Sequence, residues 1–263
     1  MGEPRIAAVG DNTIDRFRDA DDADLVGGNA LNVAVQALRA GCDARYFGPI
    51  GDDADGVVVR AAIESTGLPT DGLRVETGRT ALTVISRDAD GDRRFVSEDF
   101  GVTAHYLPNT DELERIAQHE WVHIGMLPDA PRLAERLRRR RPNILISQDL
   151  AVSPEAGPID VAFLPGSADI AADRTRTAAM VGDGVALAIT TRGAAGAIAF
   201  DGTTWLSQLA IPTTVVDSTG AGDSFIAGFI ASRARGRGII ESMNRGAHLA
   251  AATCGHLGGW PQR

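Results

Sequence analysis

The chain of 263 residues is long enough for one α/β domain with a full hydrophobic core. Its net charge of −9 argues against nucleic acid or an anionic membrane as the main partner, and no apolar run approaches the ~20 residues of a membrane-spanning helix. Two distant cysteines, Cys42 and Cys254, and a beginning without a signal-peptide pattern predict a cytoplasmic protein that has neither a disulfide framework nor a metal cluster.

Strand and helix patterns alternate along most of the chain, as in a parallel sheet that is covered by helices on both faces. The strands are predicted at 5–9, 44–50, 121–124, 144–148, 161–164, 185–190, 197–200, 203–206 and 213–216. The helices are predicted at 29–40, 57–66, 111–118, 131–140, 224–233 and 239–256, with one more before 185. We expect one domain over residues 1–263.

The rhythm changes between residues 73 and 100. The stretches 80–87 and 93–97 are predicted as two strands, and Asp88-Ala89-Asp90-Gly91 between them is typical of a hairpin turn. This hairpin is the natural candidate for a lid. We expect the lid to be formed by about 73–100 together with the segment near 16–26.

All 26 basic residues are arginines, so the chain contains no lysine. This excludes the P-loop lysine, the protein-kinase strand lysine and a Schiff-base lysine. A protein of this composition that handles nucleotide phosphates has to use backbone amides, arginine and a metal. The one basic run, at 136–141, ends an apolar-periodic segment, so a solvated helix end is favoured there over an anion site.

The strongest chemical pattern is Asp217-Ser218-Thr219-Gly220-Ala221-Gly222-Asp223, which opens a predicted helix. Small residues at a helix start leave backbone N–H groups accessible, and these form an anion hole with the positive end of the helix dipole. A carboxylate in the same turn can take the proton of an attacking alcohol during phosphoryl transfer. Taken alone, the pattern is equally compatible with a glycine turn and an acidic helix start.

Two shorter patterns follow predicted strands, where open α/β sheets bind their ligands. In Gly27-Gly28-Asn29-Ala30-Leu31-Asn32 the glycines permit close backbone approach and Asn32 can bond to hydroxyls, although a helix that Asn29 merely caps is the commoner case. In Gly10-Asp11-Asn12-Thr13-Ile14-Asp15 the two carboxylates can accept hydrogen bonds from sugar hydroxyls, or they can be solvated loop acids.

The order of these patterns resembles the ribokinase/PfkB carbohydrate kinase family from end to end. The matching segments are Gly10 with Asp15, Gly27-Gly28 with Asn32, Gly51-Asp52, Thr191-Arg192-Gly193-Ala194-Ala195-Gly196, and Asp217 to Asp223 with Ser218 in place of a threonine. The resemblance implies an α/β fold of the ribokinase-like, three-layer α/β/α type, with a mostly parallel central sheet and a small β-hairpin lid. It also implies ATP-dependent sugar kinase activity.

The resemblance implies a role for each matching residue. Asp223 would be the catalytic base, and the anion hole would be Gly220, Ala221 and Gly222. The sugar would be bound by Asp11, Asp15, Gly27, Gly28, Asn32 and, from the hairpin, Arg94. ATP would lie along Thr191, Gly193, Gly196, Asp217 and Thr219. The family implies Mg²⁺, in some members a monovalent cation such as K⁺, and often a homodimer that pairs through the lid.

Two motifs of the family are altered. Asn-x-x-Glu, which organises magnesium and its waters, is replaced by Pro165-Gly166-Ser167-Ala168-Asp169, so Asp169 is the candidate metal ligand that remains. Asp-x-Asn reads Asp149-Leu150-Ala151. The main alternative is therefore a non-catalytic sugar or nucleotide sensor on the same fold, which the intact Asp223 disfavours. A dehydrogenase is disfavoured because no Gly-x-Gly-x-x-Gly follows a predicted strand.

Within the family, the chain most resembles the branch that phosphorylates fructoselysine on its 6-hydroxyl. The shared features are Gly10-Asp11-Asn12, the short link from Asp15 to Gly27, the absent Asn-x-x-Glu and Gly258-Gly259-Trp260. A short link leaves room for a substituent larger than a bare hexose. Acidic residues in the link can attract an amine. They are Asp19, Asp21, Asp22 and Asp24. Free fructose, ribose and 2-keto-3-deoxygluconate are the alternative acceptors.

Overall fold

The structure is a computed structural model that describes residues 2–17, 24–87 and 93–262, without the side chains of residues 17, 87 and 93–95. The strands are β1 (Arg5–Val9), β2 (Thr13–Phe17), β3 (Leu25–Gly27), β4 (Asp43–Gly51), β5 (Leu73–Glu76), β6 (Leu82–Arg87), β7 (Arg93–Asp99), β8 (Trp121–Ile124), β9 (Leu145–Asp149), β10 (Val161–Pro165), β11 (Leu187–Thr191), β12 (Ala197–Phe200) and β13 (Trp205–Gln208). The helices are α1 (Asn29–Arg39), α2 (Ala54–Ser65), α3 (Thr110–Ile116), α4 (Ala130–Arg140), α5 (Ile170–Gly182), α6 (Ala221–Ala234) and α7 (Ile239–Thr253).

The central sheet has the strand order β13-β12-β11-β10-β9-β8-β1-β4-β5. The strands from β11 to β5 pair in parallel, whereas β12 and β13 form an antiparallel edge. Parallel strands need crossover connections, which the helices supply, and this confirms the predicted α/β class with a mostly parallel sheet.

Two hydrophobic cores cover the two faces of this sheet. Ile6 and Ala8 of β1 face one core, whereas Ala7 and Val9 face the other, as the period of two of a strand requires. Helices α1, α2, α6 and α7 pack on the first face, and α3, α4 and α5 on the second. Helix α6 is buried on most of its surface because it packs between α1 and α7. Its first turn is thereby fixed rigidly above the sheet.

A second sheet of four strands, in the order β3-β2-β6-β7, is the candidate lid. The predicted hairpin is present as β6 and β7. The stretch 13–17, where no strand was predicted, is also a strand and pairs in parallel with β6. The predicted start of the lid at 73 is wrong, because β5 pairs with β4 in the central sheet. The acidic link residues Asp19, Asp21 and Asp22 lie outside the described residues.

Hydrogen bonds at the entry to β6 and at β3 join the lid to the body, and so does the ion pair of Arg16 on β2 with Asp55 on α2 at 2.8 Å. At the entry to β6, the Gly51 amide donates to the Thr80 hydroxyl at 2.9 Å, and the Gly78 amide donates to the Asp52 carboxylate at 3.0 Å. The family-like Gly51-Asp52 pair therefore holds this entry. At β3, the Gln262 side chain bonds to both the amide and the carbonyl of Val26.

The segment 213–216 was predicted as a strand, and this prediction is wrong. It is irregular, and Val215 and Val216 are 62% and 59% exposed. The amides of Val216 and Asp217 donate to the Cys254 carbonyl at the end of α7 instead of to a neighbouring strand. A β-branched sequence alone does not make a strand when no sheet edge lies beside it.

The basic run at the end of α4 has the structural role that was expected. Arg138 donates to the carbonyls of Pro142, Ile144 and Pro158 and pairs with Asp160 at 2.9 Å. Arg140 pairs with Glu114 at 2.5 Å. Helices long and apolar enough to span a bilayer are lacking throughout the described ranges.

Candidate active site

The first turns of α1 and α6 meet at the carboxyl ends of the central strands. Asp223, in the first turn of α6, accepts one hydrogen bond from the Asn29 side-chain amide at 2.6 Å and one from the Asn32 amide at 2.7 Å. Both asparagines lie at the start of α1. The predicted catalytic and sugar-binding residues Asp223 and Asn32 are thus in direct contact.

Asn29 links this pair to the end of β9. Its side-chain nitrogen also donates to the Asp149 carboxylate at 2.8 Å, and the other oxygen of Asp149 accepts from the Ala151 amide at 2.9 Å. The sequence suggested only that Asn29 caps α1, but the N-cap residue is Gly28, and no side chain caps the helix from that position. A polar residue directly after two glycines, near the candidate binding residue Asn32, was the available clue.

Asp11 performs the capping instead. Its two carboxylate oxygens accept the backbone amides of Asn29 at 2.8 Å and Ala30 at 3.0 Å, and only 4% of its surface is exposed. A carboxylate at the positive end of a helix dipole is stabilised there. Asp11 therefore positions the helix that carries Asn32, and its sugar-binding role stays a prediction.

Burial and like charges dominate the electrostatics of the site. Burial raises the pKa of the Asp223 carboxyl to about 8, the charges of Asp149 and Asp11 add to the increase, and the Asn32 and Asn29 amides oppose it. Burial also raises the pKa of Asp149 and of Asp11, against the hydrogen bonds that each accepts. A raised pKa makes the ionised carboxylate a stronger base, which suits it to accept a proton from an alcohol.

The turn that precedes α6 is shaped for close approach. Gly220 has φ of 74°, in the left-handed region, and a Cβ there would lie 2.6 Å from the Gly259 Cα atom. Asp217, predicted to bind nucleotide, holds the turn by accepting the amide of Thr219 at 3.0 Å, its hydroxyl at 2.8 Å and the Gly258 amide at 2.8 Å. At the start of α6, the Ala221 amide donates to the Ser218 carbonyl at 3.2 Å, whereas the Gly222 and Asp223 amides lack intrahelical acceptors as at any helix start.

A cavity of about 570 Å³ opens directly beside these amides. Its lining contains Ala221 and Gly222 of the predicted anion hole. It also contains all three predicted residues of the β11 end, Thr191, Gly193 and Gly196. The rest of the wall is mainly apolar and comes from 210–215 and the second half of α7, which no motif of the sequence indicated.

The other side of Asp223 is the side of the lid. Gly28 has φ of 112°, and a Cβ there would lie 2.5 Å from the Asn12 Cα atom, so the chain at 11–12 can approach the start of α1 only because residue 28 is glycine. Gly27 ends β3, and Asp15 is half-buried on β2. Arg94 is on β7, but its side chain lies outside the described part.

The structure gives the altered magnesium motif another role. Asp169 is exposed and caps α5, accepting the amides of Ala171 at 2.8 Å and Ala172 at 3.3 Å. Asp173, one turn later, is fully buried and pairs with Arg192 at 2.7 Å and Arg176 at 2.5 Å. Groups of three or more His, Cys, Asp or Glu residues suited to hold a metal are absent from residues 2–17, 24–87 and 93–262. A preformed all-protein magnesium site is therefore not part of the described structure.

Comparison with known proteins connects this geometry to a chemistry. A family model described as pfkB family carbohydrate kinase matches residues 13–153 and 160–261. The fructoselysine 6-kinase of Shigella flexneri is 32% identical over 97% of this chain and 99% of its own length. The fructosamine kinase of Bacillus subtilis is 30% identical over 98% of this chain and 95% of its own. A ribokinase structure from Arabidopsis thaliana, complexed with ribose and ATP, superposes with a TM-score of 0.87 at 21% identity and covers 98% of this chain and 94% of its own.

Proposed function

The chain belongs to the PfkB family of carbohydrate kinases and is an ATP-dependent sugar kinase, and from this we propose that its acceptor is a fructosamine such as fructoselysine, phosphorylated on the 6-hydroxyl. One observation carries the proposed mechanism. Asp223 directly follows Gly222, which lines the cavity, and its carboxylate is held by two side-chain amides of α1, the helix that follows lid strand β3. An acceptor under the lid and a phosphoryl group in the cavity would therefore both lie close to this carboxylate.

In the proposed reaction, the acceptor hydroxyl gives its proton to the Asp223 carboxylate as its oxygen attacks the γ-phosphorus. The phosphoryl oxygens accept hydrogen bonds from the backbone amides at Gly220, Ala221 and Gly222, which are most useful as charge builds up there. The bond to the bridging oxygen breaks, and ADP leaves with that electron pair. The nucleotide would extend from the α6 start along Thr191, Gly193 and Gly196.

On the acceptor side, Asp15 and Asn32 would bind the sugar hydroxyls, and Gly27 and Gly28 would let the sugar lie against the backbone. Asn32 uses one amide hydrogen for Asp223 and keeps the other for the sugar. Arg94 would reach the acceptor from the lid. Thr219 would support the nucleotide through the turn that it forms with Asp217.

Magnesium would be carried mainly on the ATP phosphates and on water, because Mg²⁺ keeps several waters and needs few protein carboxylates. The oxygen donors that this structure offers near the site fit that role, since Asp149 lies beside the base, and Asp169 follows the end of β10. Bound Mg²⁺ supplies charge neutralisation to the phosphates. A monovalent cation such as K⁺ is a further candidate cofactor.

Relatives named as fructoselysine and fructosamine kinases support a fructosamine as the acceptor. They match almost the whole chain at 30–32% identity. The described end of the short link contributes Asp24, which pairs with Arg16 at 2.8 Å. Free fructose, ribose and 2-keto-3-deoxygluconate are the competing acceptors within the same kinase assignment.

We also propose a homodimer in the cytoplasm, formed through the lid. Strand β7 pairs with β6 on one side and forms the edge of the described lid sheet. Val96 and Phe100 beside this edge are 40% and 39% exposed. A small sheet with an open edge and apolar exposure gains stability by pairing. Light scattering should give twice the chain mass, and a monomer at working concentrations would reject the dimer.

The test of the acceptor is a comparison of kcat/KM for fructoselysine with those for fructose, ribose and 2-keto-3-deoxygluconate, at fixed Mg²⁺ and ATP. The Asp223→Asn variant is the control for phosphorylation by a contaminating kinase. We expect fructoselysine to be preferred, with phosphate on its 6-oxygen by ³¹P NMR. A preference for a plain sugar by more than about tenfold corresponds to a difference of ~1.4 kcal/mol in transition-state binding. This result would refute the fructosamine as the acceptor but would not affect the assignment as a sugar kinase.

A further inference from the structure

Asn29 occupies a position between two carboxylates that no family motif explains. Its side-chain nitrogen lies 2.6 Å from an Asp223 oxygen and 2.8 Å from an Asp149 oxygen. We propose that Asn29 is a positioning residue for the transfer step, which holds the Asp223 carboxylate for the incoming hydroxyl and is itself held by Asp149. The inference rests on the proposed function, in which Asp223 is the base.

The orientation of the Asn29 amide follows from its surroundings. An amide group can present either its oxygen or its NH₂ group to a neighbour, and only NH₂ is attracted to a carboxylate. Because carboxylates lie on both sides, both amide hydrogens are used, and no donor is left for a substrate. Asn29 therefore acts on the sugar through Asp223, unlike Asn32, which retains one hydrogen.

This orientation leaves the carbonyl oxygen of the Asn29 amide in an unfavourable environment. The Asn29 carbonyl oxygen is buried and finds no hydrogen-bond partner among the described residues. It lies against Gly125, where a Cβ atom would come within 2.6 Å of it. A buried acceptor without a partner is unfavourable, so the two bonds of the NH₂ group must outweigh that cost. Such an arrangement is expected at a functional site rather than at an ordinary helix start.

Asp149 fixes the plane of the amide. One of its oxygens accepts from Asn29 and the other from the Ala151 amide at 2.9 Å. Its carboxylate therefore cannot turn without breaking a bond to its own loop. This series of hydrogen bonds, from Ala151 through Asp149 and Asn29 to Asp223, connects the end of β9 to the start of α6.

The groups around Asp223 shift its pKa in two opposite directions. The charged groups that act on Asp223 are Asp149 from the end of β9 and Asp11 from the end of β1, and both raise its pKa after burial. The amides of Asn32 and Asn29 from α1 lower it. Removing Asn29 should raise the pKa further, whereas neutralising Asp149 should lower it. The first change follows from loss of the Asn29 bond, and the second follows from loss of the Asp149 charge.

The experiment is a ¹³C NMR titration of aspartate carboxyl groups, in which the Asp223 signal is assigned by its absence in Asp223→Asn. We expect the midpoint to rise by about one pH unit in Asn29→Ala and to fall by about one in Asp149→Asn. An asparagine at 149 has one oxygen, so it can keep the bond from Asn29 or the bond from Ala151 but not both, and the variant removes the charge together with one bond. The acidic limb of kcat against pH should move in the same directions, with KM for ATP changed less than about twofold.

Asn109→Ala is the matched control, because Asn109 caps α3 on the opposite face of the sheet through the amide of Glu112 at 2.9 Å. It should lower Tm without moving the Asp223 midpoint. An unchanged midpoint in Asn29→Ala overturns the proposal, and so does an unchanged midpoint in Asp149→Asn if Asn29→Ala does not fold. A wild type that phosphorylates no acceptor refutes the proposed function, whereas an active wild type with an unchanged midpoint in Asn29→Ala refutes only the role of Asn29.

Discussion

Replacing Asp223 by Asn should make the protein more stable at slightly alkaline pH while it abolishes most activity. The carboxyl has a pKa of about 8 in the folded chain, because burial opposes its charge, against an ordinary value of 3.8. The folded state therefore retains this proton where the unfolded state has lost it. It follows that the group lowers the free energy of unfolding progressively as the pH rises from about 4 to about 8.

The size of the effect follows from the two pKa values. Each pH unit within that window costs ~1.4 kcal/mol, so the loss reaches roughly 3 kcal/mol by pH 6 and is on the order of 5 kcal/mol by pH 8. An asparagine at 223 has no such loss, but its single oxygen can serve only one of the two donor amides. The amide left unpaired costs about 1–3 kcal/mol. The variant should therefore be near wild type around pH 5 and more stable by roughly 2–4 kcal/mol at pH 8.

The assay is a set of thermal unfolding scans of both proteins from pH 5 to pH 8.5. The difference in Tm isolates this group, because all other titrations are shared. At ~2–4 °C per kcal/mol, we expect a gain of about 5–10 °C for the variant at pH 8, declining towards zero near pH 5. Asp129→Asn, at an exposed helix cap, is the control and should show a constant difference. A constant difference for Asp223→Asn as well would refute the assignment of a buried, destabilising charge.

Three further predictions concern the substrates and the lid. Asp15→Ala and Asn32→Ala should each weaken sugar binding by ~1–3 kcal/mol and ATP binding far less, as measured by isothermal titration. Equal losses for both ligands would contradict the assignment of these residues to the sugar site. Turnover should require a divalent cation despite the altered motif, so full activity in excess EDTA would refute the proposed placement of Mg²⁺ on the nucleotide. Gln262→Ala should release β3 from the C-terminal segment and raise KM for the sugar about three- to tenfold, with little change in KM for ATP. Gln118 is exposed, so the control variant Gln118→Ala should leave both KM values unchanged.

Much of the central sheet could be predicted from the sequence because its strands are short, apolar and buried on both faces. The bounds of β8 and β12 agree with the prediction residue for residue. Strand β2 was missed since Thr13, Asp15 and Arg16 give it no apolar run, and its partner β6 is distant in the chain. Such non-local pairing has no local signal. The segment 213–216 shows the reverse error, a strand-like composition without a neighbouring strand.

In the candidate site, too, the residues of one contiguous motif could be predicted, whereas contacts between distant segments could not. The start of α6 was predictable because its small residues and acid lie in one contiguous segment. The contact of Asp223 with Asn32 was not predicted, because it depends on which helix starts become neighbours in the fold. The roles of Asn29 and Asp11 were not predictable, because they depend on which strand ends become neighbours. The wall of the nucleotide cavity at 210–215 consists of ordinary apolar residues, which carry no motif.

The most direct test of the central claim is the turnover of Asp223→Asn beside its ligand affinities. If Asp223 takes the proton of the acceptor hydroxyl, kcat should fall by about 10²–10⁴-fold, the usual contribution of general-base catalysis. The dissociation constants for ATP and for the sugar, measured by isothermal titration on the same preparation, should remain within a few-fold of wild type. A variant that binds both ligands and turns over at a rate near that of the wild type would remove Asp223 from the mechanism.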